Sequence, residues 1–162
     1  MRLGWKREIL PAVLAVGMIV AAFYYYPLLP NSLPVHFGLK GQPNGWVSKP
    51  VFFLENTGIF CFTYLLLTFL PFIDPLKKKI EPKFKTAILL RDVILVFSAV
   101  VYFVAIEYAR AGALHVDYIG VAIGLMLIVL GNYMPKVPQN WFLGIRTPWA
   151  ISSEANWKKT HI

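Results

Sequence analysis

The sequence predicts an all-α integral membrane protein: a four-helix transmembrane bundle, N-in/C-in, with a structured outer loop and an amphipathic cytoplasmic tail. Three observations carry this. Hydrophobic residues make up 57% of the 162-residue chain and mean hydropathy is +0.59, well above a soluble domain. Four apolar runs, at 9–29, 51–73, 87–109 and 118–134, reach the range of about 17–25 residues over which a helix crosses hydrocarbon. Of the 16 Lys and Arg residues, only Lys40, Lys49 and Arg110 fall outside in that arrangement, and this bias sets orientation.

In chain order, the basic segment from Arg2 to Glu8 precedes the first run, and Pro11 lies in its first turn, where a missing N–H does no harm. The run is long for a cleaved signal and ends in Tyr24-Tyr25-Tyr26-Pro27. It is expected to stay as a span, with the tyrosines at the interface. Residues 30–50 form a polar, hairpin-like outer loop, in which Asn44-Gly45 is the turn signal. The second span is interrupted early by Glu55-Asn56, and residues 74–86 then supply five lysines as a basic linker. In the third span Arg91-Asp92 is expected to anchor the inner edge at the headgroups, one side chain snorkelling. Gly120, Gly124 and Gly131 share one face of the fourth span and predict close packing within the molecule rather than self-association. Cys61, the single cysteine, reads as a small buried hydrophobe. The chain thus divides into a membrane bundle, 1–134, and an interfacial tail, 135–162.

The candidate ligand- or partner-binding residues fall in two layers. On the outer side are His36, Glu55, Asn56 and Glu107, with His115 and Asp117 nearby in the chain. Glu55 lies five residues past Pro50, about 7–8 Å into its helix at 1.5 Å per residue. A carboxylate there needs an offset: Asn56, a loop N–H, Lys49, or a ligand. Glu107 either reaches water or pairs with Arg110 one turn on. No metal, cofactor or catalytic set is expected, since no HExxH or CxxC spacing occurs. The net charge of +8 is assigned to anionic lipid and cytoplasmic loops, not nucleic acid, because no nucleic-acid motif accompanies it.

The tail carries the inner layer. Pro135 and Pro138 unwind the fourth helix, Gly144 relieves the backbone, and Pro148 holds Thr147 extended. Ser152 or Ser153 is placed to cap a short last helix, with Glu154 four residues before Lys158. Trp141, Trp149 and Trp157 among cations suit a membrane–water interface. Arg146, beside Thr147 and Trp149, either holds a lipid phosphate or a partner's carboxylate, or bonds carbonyls freed by the prolines. A contact from Asp92 to Arg146 would tie the tail to the bundle.

Two strings in this chain resemble a known family. GNYMPKVPQNWFLGIRTPW at 131–149, followed by SSEANWKKTH, looks like the signature of the SdpI family of bacterial membrane proteins. LPVHFGLKGQPNGWVSK at 33–49 is similar to a domain of unknown function that often precedes that signature. The resemblance implies a non-enzymatic role: immunity against a secreted peptide toxin outside, and relay to a cytoplasmic repressor inside. It also implies further spans after the WKKTH string, so the chain reads as a short or truncated member. A small transporter or a lipid- or ion-binding protein is the alternative, disfavoured by the lack of a repeat or broken helix pair. A metal-dependent membrane enzyme ranks below it.

Overall fold

The computed structural model describes residues 1–38, 42–112 and 117–162. His115 and Lys40, named above, lie outside these residues, as does the side chain of Asp117. The bundle is built on α1 (Ile9–Tyr25), α2 (Lys49–Ile73), α4 (Phe84–Ala111) and α5 (Asp117–Tyr133). Among the described residues four helical stretches are long and apolar enough to span a bilayer: Ile9–Leu28, Lys49–Ile73, Lys77–Ala111 and Tyr118–Lys136. α2 runs through Glu55-Asn56 without a break, because a polar side chain does not remove a backbone bond as proline does.

α4 is the axis. Phe84, Ile88, Arg91, Leu95, Ala99, Tyr102 and Ile106 recur at three- and four-residue steps, and all are buried. That spacing lines one helix face, against which α1, α2 and the hairpin of residues 32–48 pack. Lipid tails remove the hydrophobic drive between spans, so close packing and hydrogen bonds must hold them. Tyr102 supplies both. Its ring stacks on Phe52 at 5.9 Å, and its hydroxyl donates to the Met18 carbonyl at 3.0 Å.

The all-α expectation needs one correction. Residues 32–48 contain an antiparallel pair, β1 (Ser32–Phe37) and β2 (Pro43–Ser48). Asn44-Gly45 is not the turn; both residues sit in β2, and the connection lies between Gly38, whose N–H donates to the Gln42 carbonyl at 2.9 Å, and Pro43. Gly45 is opposite His36, where a Cβ would stand 3.0 Å from the His36 Cβ. The glycine serves close strand approach instead of a left-handed turn. Leu33 is fully buried against the bundle. Lys49 straps the hairpin to α1, its ammonium donating to the Tyr26 and Leu29 carbonyls, both at 2.9 Å. These are carbonyls at and beyond a helix end, where a cation is favoured. Lys49 is therefore engaged there, not with Glu55.

Two further expectations fail. Cys61 is exposed on α2, facing the lipid side of a span where an apolar thiol needs no burial. A Cβ at Gly120, Gly124 or Gly131 would meet nothing within 4 Å. α5 lies along α4, but not through its glycine face.

At the end opposite the hairpin, the chain terminus, the short helix α3 (Lys77–Ile80) and the tail converge. The Met1 amine pairs with Glu81, and Lys79 pairs with Glu154. α5 unwinds at the prolines through a 3-10 turn, Met134–Lys136, as the sequence predicts. The tail then closes with α6 (Pro148–Ser152) and α7 (Glu154–Thr160).

Candidate functional site

The tail folds as a foot on the end of the bundle, and its motif residues are mostly spent holding it together. Asn140 is completely buried. Its amide N–H2 donates to the Pro138 and Leu143 carbonyls, both at 2.9 Å. Its Oδ1 accepts from the Phe142 and Leu143 N–H groups, at 2.9 and 2.6 Å. One side chain thereby satisfies a turn that has no helix or sheet to do so.

Asp74, also buried, accepts from the Leu76 N–H at 2.6 Å and from the Trp141 N–H at 2.8 Å. It clamps the foot to the segment leaving α2. Trp157 is buried, its indole N–H donating to the Val137 carbonyl at 2.8 Å. Of the three tryptophans expected at an interface, Trp141 and Trp149 are exposed, whereas Trp157 is the foot's core.

His161 closes the structure. Its Nε2 accepts from the Ile145 N–H at 2.8 Å, so Nδ1 carries the proton donated to the Trp157 carbonyl, also at 2.8 Å. Gly144, at φ +108°, passes beneath this ring, and a Cβ there would stand 2.6 Å from His161 Nε2. Only glycine fits both the angle and the gap.

Thr147 caps α6 by accepting from the Ala150 N–H at 3.3 Å, and Ser153 caps α7 by accepting from the Asn156 N–H at 3.1 Å. Glu154 pairs with Lys79 of α3 rather than, as expected, with Lys158. The hydrogen bond from Lys79, then its charge, hold the Glu154 carboxyl below its ordinary value. Arg146 donates to the Trp141 carbonyl at 3.0 Å and does not contact Asp92. Once these contacts are made, Arg146, Ile145, Trp141 and Trp149 remain exposed on the foot.

Beneath the foot is a polar hub that the sequence reading missed. Arg91 does not snorkel; its side chain is 0% exposed. Nη1 donates to both Glu8 oxygens, at 3.1 and 3.2 Å, and to Thr68 Oγ1 at 3.1 Å. Nη2 donates to the Arg7 carbonyl at 2.7 Å, and Nε to Asp92 at 2.9 Å. Tyr64 donates to Glu8 at 2.7 Å, with the guanidinium 5.4 Å from its ring centre. Residues from α1's entry, α2 and α4 thus meet at one cation. Two signals pointed there: Arg91 sits on the α4 stripe beside Ile88 and Leu95, and Tyr64 and Thr68 share one face of α2 at a four-residue step.

The hairpin end carries the other predicted residues. His36 Nδ1 contacts Asn44 Oδ1, and Glu107 takes the Arg110 guanidinium at 2.8 Å, one of the two arrangements foreseen for it. Asn56 donates back to the Phe52 carbonyl at 2.9 Å. Glu55 and Asn56 line a groove of about 270 Å³ between α2, α4 and β1, walled by Pro34, Phe37 and Val101. Glu55 has no ion pair among the described residues. His36 and Glu107 do not join it, and no three His, Cys, Asp or Glu side chains of the described residues gather as a metal site would require.

Comparison with known proteins places these features. The SdpI/YfhL protein family matches residues 136–162, the foot, and a domain of unknown function, DUF1648, matches residues 13–54, spanning α1 to the start of α2. The immunity protein SdpI of Bacillus subtilis (strain 168) is 24% identical over 154 residues, covering 94% of this chain and 72% of that protein. No solved structure matches this chain.

Proposed function

We propose, from the premise that this chain belongs to the SdpI family and is a multi-pass bacterial membrane protein, that it acts in immunity by binding and not by turnover. The observation that carries the reading is the similarity to an immunity protein along nearly the whole chain. The finer assignments are ours. The hairpin faces outward and the foot inward, in keeping with the lysines clustered beside the foot. The outer ligand is a secreted peptide toxin. It meets the groove at Glu55 and Asn56, where an exposed carboxylate beside aromatic walls suits a cationic, partly apolar peptide.

The inner face recruits a cytoplasmic regulator through Arg146, Trp149 and Trp141, exposed groups of the kinds that dominate protein interfaces. Toxin seated between α2 and α4 favours one spacing of those helices. The Arg91 hub, bonded to both, passes that preference to the foot-side end. Membrane lipid surrounds the spans, and no direct contact with nucleic acid is part of the role.

The test is survival of a toxin-sensitive bacterial strain expressing this chain when challenged with a secreted cationic peptide toxin. Protection by the unmodified chain should fall with Glu55→Gln at equal membrane abundance. Arg146→Ala with Trp149→Ala should leave protection and abolish toxin-dependent recruitment of a cytoplasmic regulator to membranes. A chain that is abundant in the membrane and gives no protection contradicts the reading.

A further inference from the structure

A pocket of about 400 Å³ opens between the lysine linker and the foot. Its lining brings together Lys79 and Lys83 from one segment and Lys136 and Lys158 from the other, more than fifty residues away in the chain. Glu154 is the one carboxylate in that lining, and it is already paired with Lys79. Four ammonium groups against one carboxylate leave a pronounced positive excess in a concave site, where low-dielectric walls focus the field.

Two of the lysines are held in place. Lys79 donates to Gln139 Oε1 at 3.0 Å, while Gln139 is itself anchored by donating to the Ile151 carbonyl at 2.6 Å. Lys136 sits 4.0 Å from the Tyr133 ring centre, a cation–π contact that fixes its direction. Lys83 and Lys158 form no ion pair among the described residues. Like charges gathered this way repel unless an anion lies between them. The depth of the site narrows the anion. Lys136 ends the apolar stretch Tyr118–Lys136, and Lys79 and Lys83 stand at the start of Lys77–Ala111. The pocket is therefore level with the ends of two spans, where headgroups lie.

We infer that this pocket binds a phosphate group, as a phosphodiester headgroup or as a soluble phosphate. Several acceptor oxygens on one compact anion can be shared by ammonium donors arriving from different directions. Binding bridges the linker to the foot and stabilises the docked foot. The site is separate from the toxin groove and independent of the immunity reading.

The test uses the full chain, delipidated in neutral detergent, with native mass spectrometry to count retained phosphatidylglycerol against phosphatidylcholine. A parallel arm follows the thermal midpoint under inorganic phosphate. Lys83→Gln/Lys158→Gln removes two pocket charges, and Lys77→Gln/Lys78→Gln removes two linker charges outside the lining. The pocket pair should weaken retention by about tenfold, the linker pair by less than about twofold. Lys136→Gln, an exposed single change, should act in the same direction if the pocket pair folds poorly. Phosphate shifting the midpoint without lipid retention assigns the site to a soluble ligand; selective retention of phosphatidylglycerol assigns it to lipid. Equal losses in the two double variants, or no binding of either probe by the unmodified chain, overturn the proposal.

Discussion

Replacing Arg91 by methionine should be among the most damaging single changes in the chain. The guanidinium is completely enclosed and donates to two carboxylates, one hydroxyl and one carbonyl, at 2.7–3.2 Å. Methionine fills most of the volume but leaves Glu8 and Asp92 without a counter-charge; their side chains are only 29% and 21% exposed. Removing one member of such a buried set costs about 3–5 kcal/mol. Arg91→Lys keeps the charge and loses the planar fork, so the Arg7 carbonyl or Thr68 loses its donor, at about 1–3 kcal/mol. Glu8→Gln combined with Arg91→Met should cost less than the two singles added, because the second change removes a charge the first has stranded. Reversible unfolding in mixed micelles measures all three. Arg91→Met within about 1 kcal/mol of the unmodified protein would refute the hub as a structural requirement.

The foot and the fourth helix give further expectations. Gly144→Ala puts a Cβ against His161 at φ +108° and should weaken foot docking by about 1–3 kcal/mol; limited trypsin digestion should then cut faster at Arg146, and an unchanged rate would contradict this. Asp74→Asn turns one of two acceptors into a donor, so the Leu76 or Trp141 N–H loses its partner, at about 1–3 kcal/mol. Amide exchange at those positions should quicken, and unchanged protection would rule the clamp out. Gly120→Ala and Gly124→Ala enter open space and should raise the stability of the purified monomer by up to about 1 kcal/mol each. A loss there would mean that something packs on that face.

Much of the fold was legible because lipid imposes simple demands: apolar runs of spanning length, and prolines where a helix stops. What stayed hidden depends on partners far apart in sequence. Arg91 beside Asp92 looks like an edge anchor until Glu8 and Thr68 arrive from other helices. Glu154 has a cation at four residues' distance, yet Lys79 takes it, because the foot folds back on the linker. Asn44-Gly45 carries the strongest local turn signal and still lies within a strand, since glycine also serves close approach. Of the predicted binding residues, Glu55 and Asn56 share a groove, Thr147 proves to be a cap, and Arg146 and Trp149 remain exposed around the folded motif.

The toxin-facing role proposed for the hairpin end and the regulator-facing role proposed for the foot rest on their lying on opposite sides of the membrane. With Cys61→Ser as background, Asn31→Cys at the hairpin and Lys78→Cys at the linker can each be exposed to a membrane-impermeant maleimide on intact cells. Labelling of the Asn31→Cys protein alone, with Lys78→Cys reacting only after lysis, is the predicted result. Labelling of Lys78→Cys on intact cells would place the foot outside and contradict the account.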